Sequence, residues 1–230
     1  MMKLARHYFV TGTDTGVGKT LIASAMLYHF GRQGLATAGM KPVAAGCVES
    51  PSGLINDDVE SLRAASTVPL TAQDVCPYLL SAPIAPHIAA AETGMHIELE
   101  VIRNGFNRLA QQADAVIVEG VGGFRVPLDD KFDTADLAAL LDLPVVLVVG
   151  LRLGCLNHAL LTADAIFERG LSLAGWVANR IDPEMSRAEQ NIDALTERLD
   201  CPLIGTIPFY RNPAASRVEL NLSYLDPNVC

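Results

Sequence analysis

Gly12-Thr-Asp-Thr-Gly-Val-Gly-Lys19-Thr20 follows directly on the apolar run His7-Tyr-Phe-Val10. A strand that ends in a glycine-rich loop and enters a helix at Gly-Lys-Thr suits a nucleoside triphosphate. Glycines let successive backbone N–H groups turn inward around a phosphate, because no Cβ blocks those dihedrals. The helix that follows offers unpaired N–H groups and its positive dipole end to the same anion. In this pattern Lys19 bridges the β- and γ-phosphates and the Thr20 hydroxyl binds Mg²⁺. The strict form G-x-x-x-x-G-K-[ST] puts glycine at position 13, where this chain has Thr13, so the loop is a variant with glycines at 12, 16 and 18. Leu21, Ile22, Ala25, Met26 and Phe30 then recur at helical spacing.

The chain has 230 residues, enough for one α/β domain with a sizeable core. Half of its residues are hydrophobic, yet no apolar run reaches the length of a membrane span. Pro144-Val-Val-Leu-Val-Val149 reads as a central parallel strand buried on both faces. Met1 to Arg6 runs straight into the first strand without a signal-peptide core, so a cytoplasmic location is expected. A net charge of −9 argues against nucleic acid or an anionic membrane as partner. Cysteines 47, 76, 155, 201 and 230 form no C-x-x-C pair and read as reduced, structural thiols. The five histidines lack ligand spacing, and Trp176 reads as core.

No repeat, low-complexity block or long linker interrupts the chain, so residues 1–230 are expected to form a single domain. Strands are predicted at 7–12, 36–41, 114–119, 144–150, 172–179 and 203–207. Helices are predicted at 18–31, 58–66, 86–93, 97–112, 134–142, 155–169 and 186–199, with a long loop over 43–57. This alternation implies a mostly parallel central sheet with right-handed crossovers and helices on both faces. Ligands in such sheets bind outside the carboxyl ends of the strands, where each motif of interest falls.

Glu119 closes an apolar strand and precedes Gly120-Val121-Gly122-Gly123. A carboxylate there lies beside the phosphate loop, placed to bind Mg²⁺. Asp57 and Asp58 follow Asn56 in a loop; on spacing alone the pair reads as a helix N-cap. Lys41 ends an apolar strand ahead of Pro42, and its ammonium is expected to point toward the γ-phosphate region.

Together with the loop at 12–20, Lys-Pro-Val-Ala at 41–44, Val-Glu-Gly-x-Gly-Gly at 118–123 and Leu-Gly-Cys-Leu-Asn-His-Ala at 153–159 resemble dethiobiotin synthetase. Ala-Gly-Trp-Val-Ala-Asn at 174–179 and Gly-x-Ile-Pro at 205–208 extend the likeness, which runs from about residue 7 to 210 and leaves the tail after 211 uncovered. The resemblance implies a P-loop NTPase fold and an ATP-dependent ring closure in biotin synthesis. In it, 7,8-diaminopelargonate takes up CO₂ as a carbamate, the γ-phosphoryl group activates the carbamate, and the second amine closes the ureido ring.

The resemblance also implies roles for particular residues. Lys41 and Lys19 are catalytic, and Thr20, Asp58 and Glu119 are the metal ligands. ATP is expected against Gly16, Val17, Gly18, Lys19, Thr20 and Leu21, with Gly120, Val121 and Gly122 alongside. Asn179, Arg180, Pro208, Phe209 and Tyr210 surround the base. The diamine is expected near Thr15, Lys41 and Ala45, and its distant carboxylate at the helix start Leu153-Gly154-Cys155-Leu156-Asn157. In the family this helix comes from the partner subunit, so a homodimer with shared sites is implied. Two positions depart from the family: Ala45 replaces a serine, and Gly16 a frequent glutamate. Asn179-Arg180-Ile181-Asp182 imitates the N-K-x-D box of GTPases, but Pro183 biases Asp182 toward an extended conformation, so ATP is the expected donor. The alternative is a partner-regulated ATPase of the partitioning or division-site type. Such proteins place a lysine early in the phosphate loop, where this chain has Asp14.

Overall fold

The computed structural model describes residues 6–51 and 53–225; residues 1–5 of the N-terminal stretch read above, Ser52, and residues 226–230 with Cys230 lie outside the described residues. β1 (Tyr8–Gly12) leads through the glycine loop into α1 (Lys19–Arg32) and then β2 (Thr37–Met40). Three short strands follow, β3 (Val43–Ala45), β4 (Val48–Ser50) and β5 (Gly53–Ile55), then α2 (Asp57–Ala65) and α3 (Ala72–Val75). β6 (Tyr78–Leu80), α4 (Pro86–Glu92), α5 (Leu99–Ala110) and β7 (Ala115–Glu119) complete the first half. The second half runs α6 (Thr134–Leu141), β8 (Val145–Leu151), α7 (Cys155–Glu168), β9 (Leu173–Arg180), α8 (Ala188–Thr196) and β10 (Leu203–Ile207).

Six strands form one parallel sheet in the order β10-β9-β8-β1-β7-β2. Alternation along each strand divides the apolar side chains between two cores. Phe9, Val116, Val118, Leu147 and Val149 face α4 to α8, whereas Tyr8, Val10, Ile117, Val146 and Val148 face α1 to α3. Both faces are therefore covered, which is why β8 reads as an unbroken apolar run. β1 lies between β7 and β8, so the carboxyl ends of the three strands open side by side onto one crevice. Val10 pairs with Glu119, and that register sets the acid beside the phosphate loop.

The stretch 43–57, expected as a loop, is more ordered. β3 pairs in parallel with β6, and β4 with β5 forms a small antiparallel hairpin. Each of these strands spans three residues, too few for an alternating pattern to show in the sequence. The described residues after 211 belong to the fold. The Asn221 N–H donates to the Ile204 carbonyl at 2.8 Å, the Arg32 guanidinium donates to the Ser216 carbonyl, and Leu220, Leu222 and Leu225 are buried on the α1 face. Trp176 is fully buried, as expected. Among the described residues no helix is long and apolar enough to cross a membrane.

Candidate active site

Gly18 precedes α1 in a left-handed conformation, with φ at +94°, and a Cβ there would lie 2.3 Å from Asn179 Nδ2. Only glycine fits that position without strain or collision. The loop folds back so that Lys19 Nζ donates to the Asp14 carbonyl at 3.0 Å. Lys19 is buried; burial, followed by repulsion from Lys41, lowers its pKa to about 8.

Lys41, directly after β2, lies across the crevice. Its backbone N–H is held by the Val75 carbonyl at 2.8 Å, while its ammonium donates to Glu119 Oε1 at 2.6 Å and Asp58 Oδ2 at 2.8 Å. Burial opposes that charge, but the Glu119 and Asp58 carboxylates outweigh it and raise the lysine to about 12. Burial pushes the Glu119 carboxyl up even against Lys41. Burial pushes Asp58 the same way, yet Lys41 and the bonds from Lys41 and Thr20 hold it below the usual carboxylate range. Asn56 caps α2, accepting from the Asp58 and Val59 N–H groups. The cap is therefore Asn56 rather than the aspartate pair, because it precedes the first helical residue. That leaves the Asp58 carboxylate free to turn into the site.

Thr20 Oγ1 lies 2.7 Å from Asp58 Oδ1 and 2.9 Å from Glu119 Oε1, with one proton for two acceptors. Glu119 Oε2 is buried and has no hydrogen-bond partner among the described residues. An underprotonated cluster of hard oxygen donors with an orphaned carboxylate atom fits Mg²⁺.

A cleft of about 890 Å³ gathers Lys19, Thr20, Lys41, Asp58 and Glu119 with Thr15, Gly16, Gly18, Ala45, Val121 and Gly122. Sequence reasoning missed other parts of its wall: Asp14, Asn56, Val126 and the turn Pro83–Pro86. The signal for the turn was the pair of prolines, with Pro86 at the first turn of α4. A second cavity of about 220 Å³ joins Gly16, Gly18, Leu21, Asn179 and Arg180 to Pro208, Phe209 and Tyr210. Its volume and its mixed apolar and amide walls suit a nucleobase. Here Asn179 donates one N–H of its side-chain amide to the Val17 carbonyl at 2.8 Å, so the side chain braces the phosphate loop. Arg180 pairs with Glu189 on α8, and Asp182 Oδ1 accepts the Glu184 N–H at 3.0 Å. Gly120 donates its N–H to the Val10 carbonyl at 3.0 Å, which fixes the strand-end turn. The start of α7 is not part of either cavity; Leu153 there is 97% exposed, and Asn157 is also exposed, while Cys155 is buried.

This combination of central parallel strand, glycine loop, helix-start lysine and threonine, and neighbouring strand-end acid defines a P-loop nucleotide-binding protein. Residues 6–215 match the sequence model of a family described as an AAA domain. Among solved structures, the septum site-determining protein MinD of Pyrococcus horikoshii has a TM-score of 0.59 at 16% identity, covering 96% of this chain and 88% of that one. The signal recognition particle 54 kDa protein of Aeropyrum pernix has a TM-score of 0.55 at 16% identity, covering 96% and 44%. These likenesses establish the fold. Sequence similarity goes further. The ATP-dependent dethiobiotin synthetase BioD of Aromatoleum aromaticum is 54% identical over 94% of this chain and 96% of its own length. That of Ralstonia nicotianae is 54% identical over 92% and 94%. The chain belongs to the ATP-dependent dethiobiotin synthetase family.

Proposed function

We propose that this chain catalyses the ATP-dependent closure of 7,8-diaminopelargonate and CO₂ to dethiobiotin, releasing ADP and phosphate. The observation that carries the reading is the pairing of two buried lysines with two carboxylates in one cleft at the phosphate loop. A carbamate and a triphosphate are both anions and repel each other. Lys19, freed from the Asp14 carbonyl, and Lys41 supply fixed positive charge to the oxygens the two groups share. Holding them in line is most of what phosphoryl transfer asks of a protein. Thr20, Asp58 and Glu119 hold Mg²⁺, which when bound neutralises phosphate charge.

One amine of the substrate adds to CO₂ and loses a proton, giving the carbamate. A carbamate oxygen then takes the γ-phosphoryl group as the bond to ADP breaks. Attack of the second amine on the carbamoyl carbon closes the ring and expels phosphate. Thr15 and Ala45 flank the reacting end; a methyl group at Ala45 offers no hydrogen bond where the family usually has a hydroxyl. The base lies in the cavity of Leu21, Asn179, Arg180 and Pro208 to Tyr210, and ATP is preferred because the Asp182 carboxylate is tied into its own turn.

The enzyme works as a cytoplasmic homodimer of single-domain subunits. The start of α7, Leu153 to Asn157, receives the substrate's carboxylate in the partner's site, consistent with its separation from its own cleft. Neither nucleic acid nor membrane is a partner. The test is to incubate the purified protein with the diamine, bicarbonate and MgATP and to seek the cyclic urea by mass. ATP hydrolysis that proceeds without the diamine and yields no urea would overturn the reading in favour of a regulatory ATPase.

A further inference from the structure

Asp14 lies at the tip of the phosphate loop and makes contacts in three directions. Its carbonyl accepts the Lys19 ammonium at 3.0 Å, its carboxylate accepts the Thr15 N–H at 2.7 Å, and the same carboxylate pairs with the Arg152 guanidinium. The Thr15 N–H, together with Arg152, keeps that carboxyl below its usual range. Arg152 is the residue after β8, and its carbonyl accepts the Cys155 N–H at 3.0 Å, closing the turn that starts α7. Gly154 gives α7 no side-chain cap, and the Leu156 and Asn157 amides, in the first turn, have no carbonyl one turn back to bond. Val148, on the same strand, accepts the Thr13 N–H at 3.0 Å, so the loop and the strand that carries Arg152 are also joined through backbone.

We propose that Asp14 and Arg152 are positioning residues that link the phosphate loop to the start of α7, so that nucleotide occupancy sets the affinity of that start for the substrate's carboxylate. The inference rests on the assignment of the α7 start to the substrate carboxylate. A triphosphate takes the Lys19 ammonium away from the Asp14 carbonyl and fixes the loop around the phosphates. An Asp14 carboxylate held still then holds Arg152 and the turn behind it, and a turn already ordered costs less to order on binding the diamine. Because the α7 start serves the partner's site, nucleotide in one site prepares the other. Both side chains of the pair are about two-fifths exposed, so the link is modest in strength and weakens with salt.

The test is calorimetric titration of the full-length protein with 7,8-diaminopelargonate, with and without the magnesium complex of a non-hydrolysable ATP analogue. In the wild type the analogue is expected to tighten the diamine about three- to tenfold. Arg152→Ala reduces that factor to less than twofold while its melting temperature and its affinity for the analogue stay unchanged, and Arg152→Lys restores most of it. Asp14→Asn combined with Arg152→Ala loses no more than either change alone. In turnover, Arg152→Ala raises KM for the diamine and leaves kcat near the wild-type value. An Arg152→Ala protein that couples as strongly as the wild type overturns the role of the pair. A wild type that binds the analogue but not the diamine overturns the functional assignment instead.

Discussion

Replacing Lys41 by methionine removes the one cation among the described residues that contacts both Asp58 and Glu119, and it should cost stability as well as turnover. Glu119 is 1% exposed, so the substitution leaves a carboxylate in a dry site. Breaking a buried ion pair from one side costs about 3–5 kcal/mol. Glu119 has a way to limit the loss, since burial already favours its neutral form. Protonating a carboxyl of ordinary pKa at pH 7 costs about 3.7 kcal/mol, which caps the penalty, and releasing Lys41 from its own desolvation returns part of it. The expected loss at pH 7 is about 2–4 kcal/mol. For a chain of this size that is about 5–15 °C in melting temperature. The sign with pH follows from Glu119. A folded carboxyl whose pKa is raised destabilises the protein above its unfolded value and is neutral below it. The deficit of Lys41→Met is therefore largest near pH 8 and shrinks toward pH 4.5. Adding Glu119→Gln removes the stranded charge and should restore more than half of the lost stability without restoring turnover, which stays about 10²-fold or more below wild type. Differential scanning calorimetry across pH 5–8, with the urea-forming assay beside it, measures both. A Lys41→Met protein that melts with the wild type, or a double variant no more stable than the single, would refute the buried-pair reasoning.

Lys19, lowered to about 8, must be charged to meet a triphosphate. Nucleotide affinity should fall about tenfold per pH unit above that value, with uptake of about half a proton on binding at pH 8 that approaches one proton above about pH 9. Calorimetry in buffers of different ionisation heat detects the uptake, and its persistence in Lys19→Met would refute the assignment. Gly18→Ala should cost about 2–3 kcal/mol, from the left-handed backbone and from the lost Asn179–Val17 hydrogen bond. An unchanged melting temperature would contradict this. Turnover with ATP, GTP and CTP at matched Mg²⁺ should favour ATP, and Asp182→Ala should leave the order intact; a GTP preference abolished by that substitution would overturn the base assignment. Mixing Lys41→Ala subunits with subunits altered at Asn157 should recover part of the activity through hybrid dimers, and no recovery despite subunit exchange would count against shared sites.

The parts of this molecule that were legible in the sequence are those whose signal is local. The glycine loop, the apolar strands that end in Glu119 and Gly150, and the helix from Lys19 each carry their reason within a dozen residues. The long stretch from 43 to 57 was not legible, because β3 to β5 are three-residue strands, too short to show alternation, and β3 is held by β6, well along the chain. Asp58 illustrates the limit for the site. Its spacing suggests a cap, and only the fold shows that Asn56 takes the cap and turns the aspartate toward Thr20 and Lys41. The tail was hard to read for a related reason: Val218, Leu220 and Leu222 alternate with polar residues over a stretch too short to declare itself a strand, yet Leu220, Leu222 and Leu225 are buried.

The charges in the cleft bear on the second anion that the proposed reaction requires. Before nucleotide arrives, Lys19 and Lys41 face Asp58 and Glu119, two cations against two carboxylates, and the site carries almost no net charge. In the proposed reaction a bound nucleotide and a carbamate would add several negative charges, and Mg²⁺ would offset only part of them. The remainder would fall on Lys41, whose carboxylate partners Asp58 and Glu119 would be drawn toward the metal. A lysine that is buried, charged and released toward the γ-phosphate in this way would serve that second anion. Asp14, on the opposite side of the loop, pairs within its own chain with Arg152, at a position where a partner-sensing ATPase places a lysine directed at the opposite subunit. In this chain the loop is connected to the turn that starts α7.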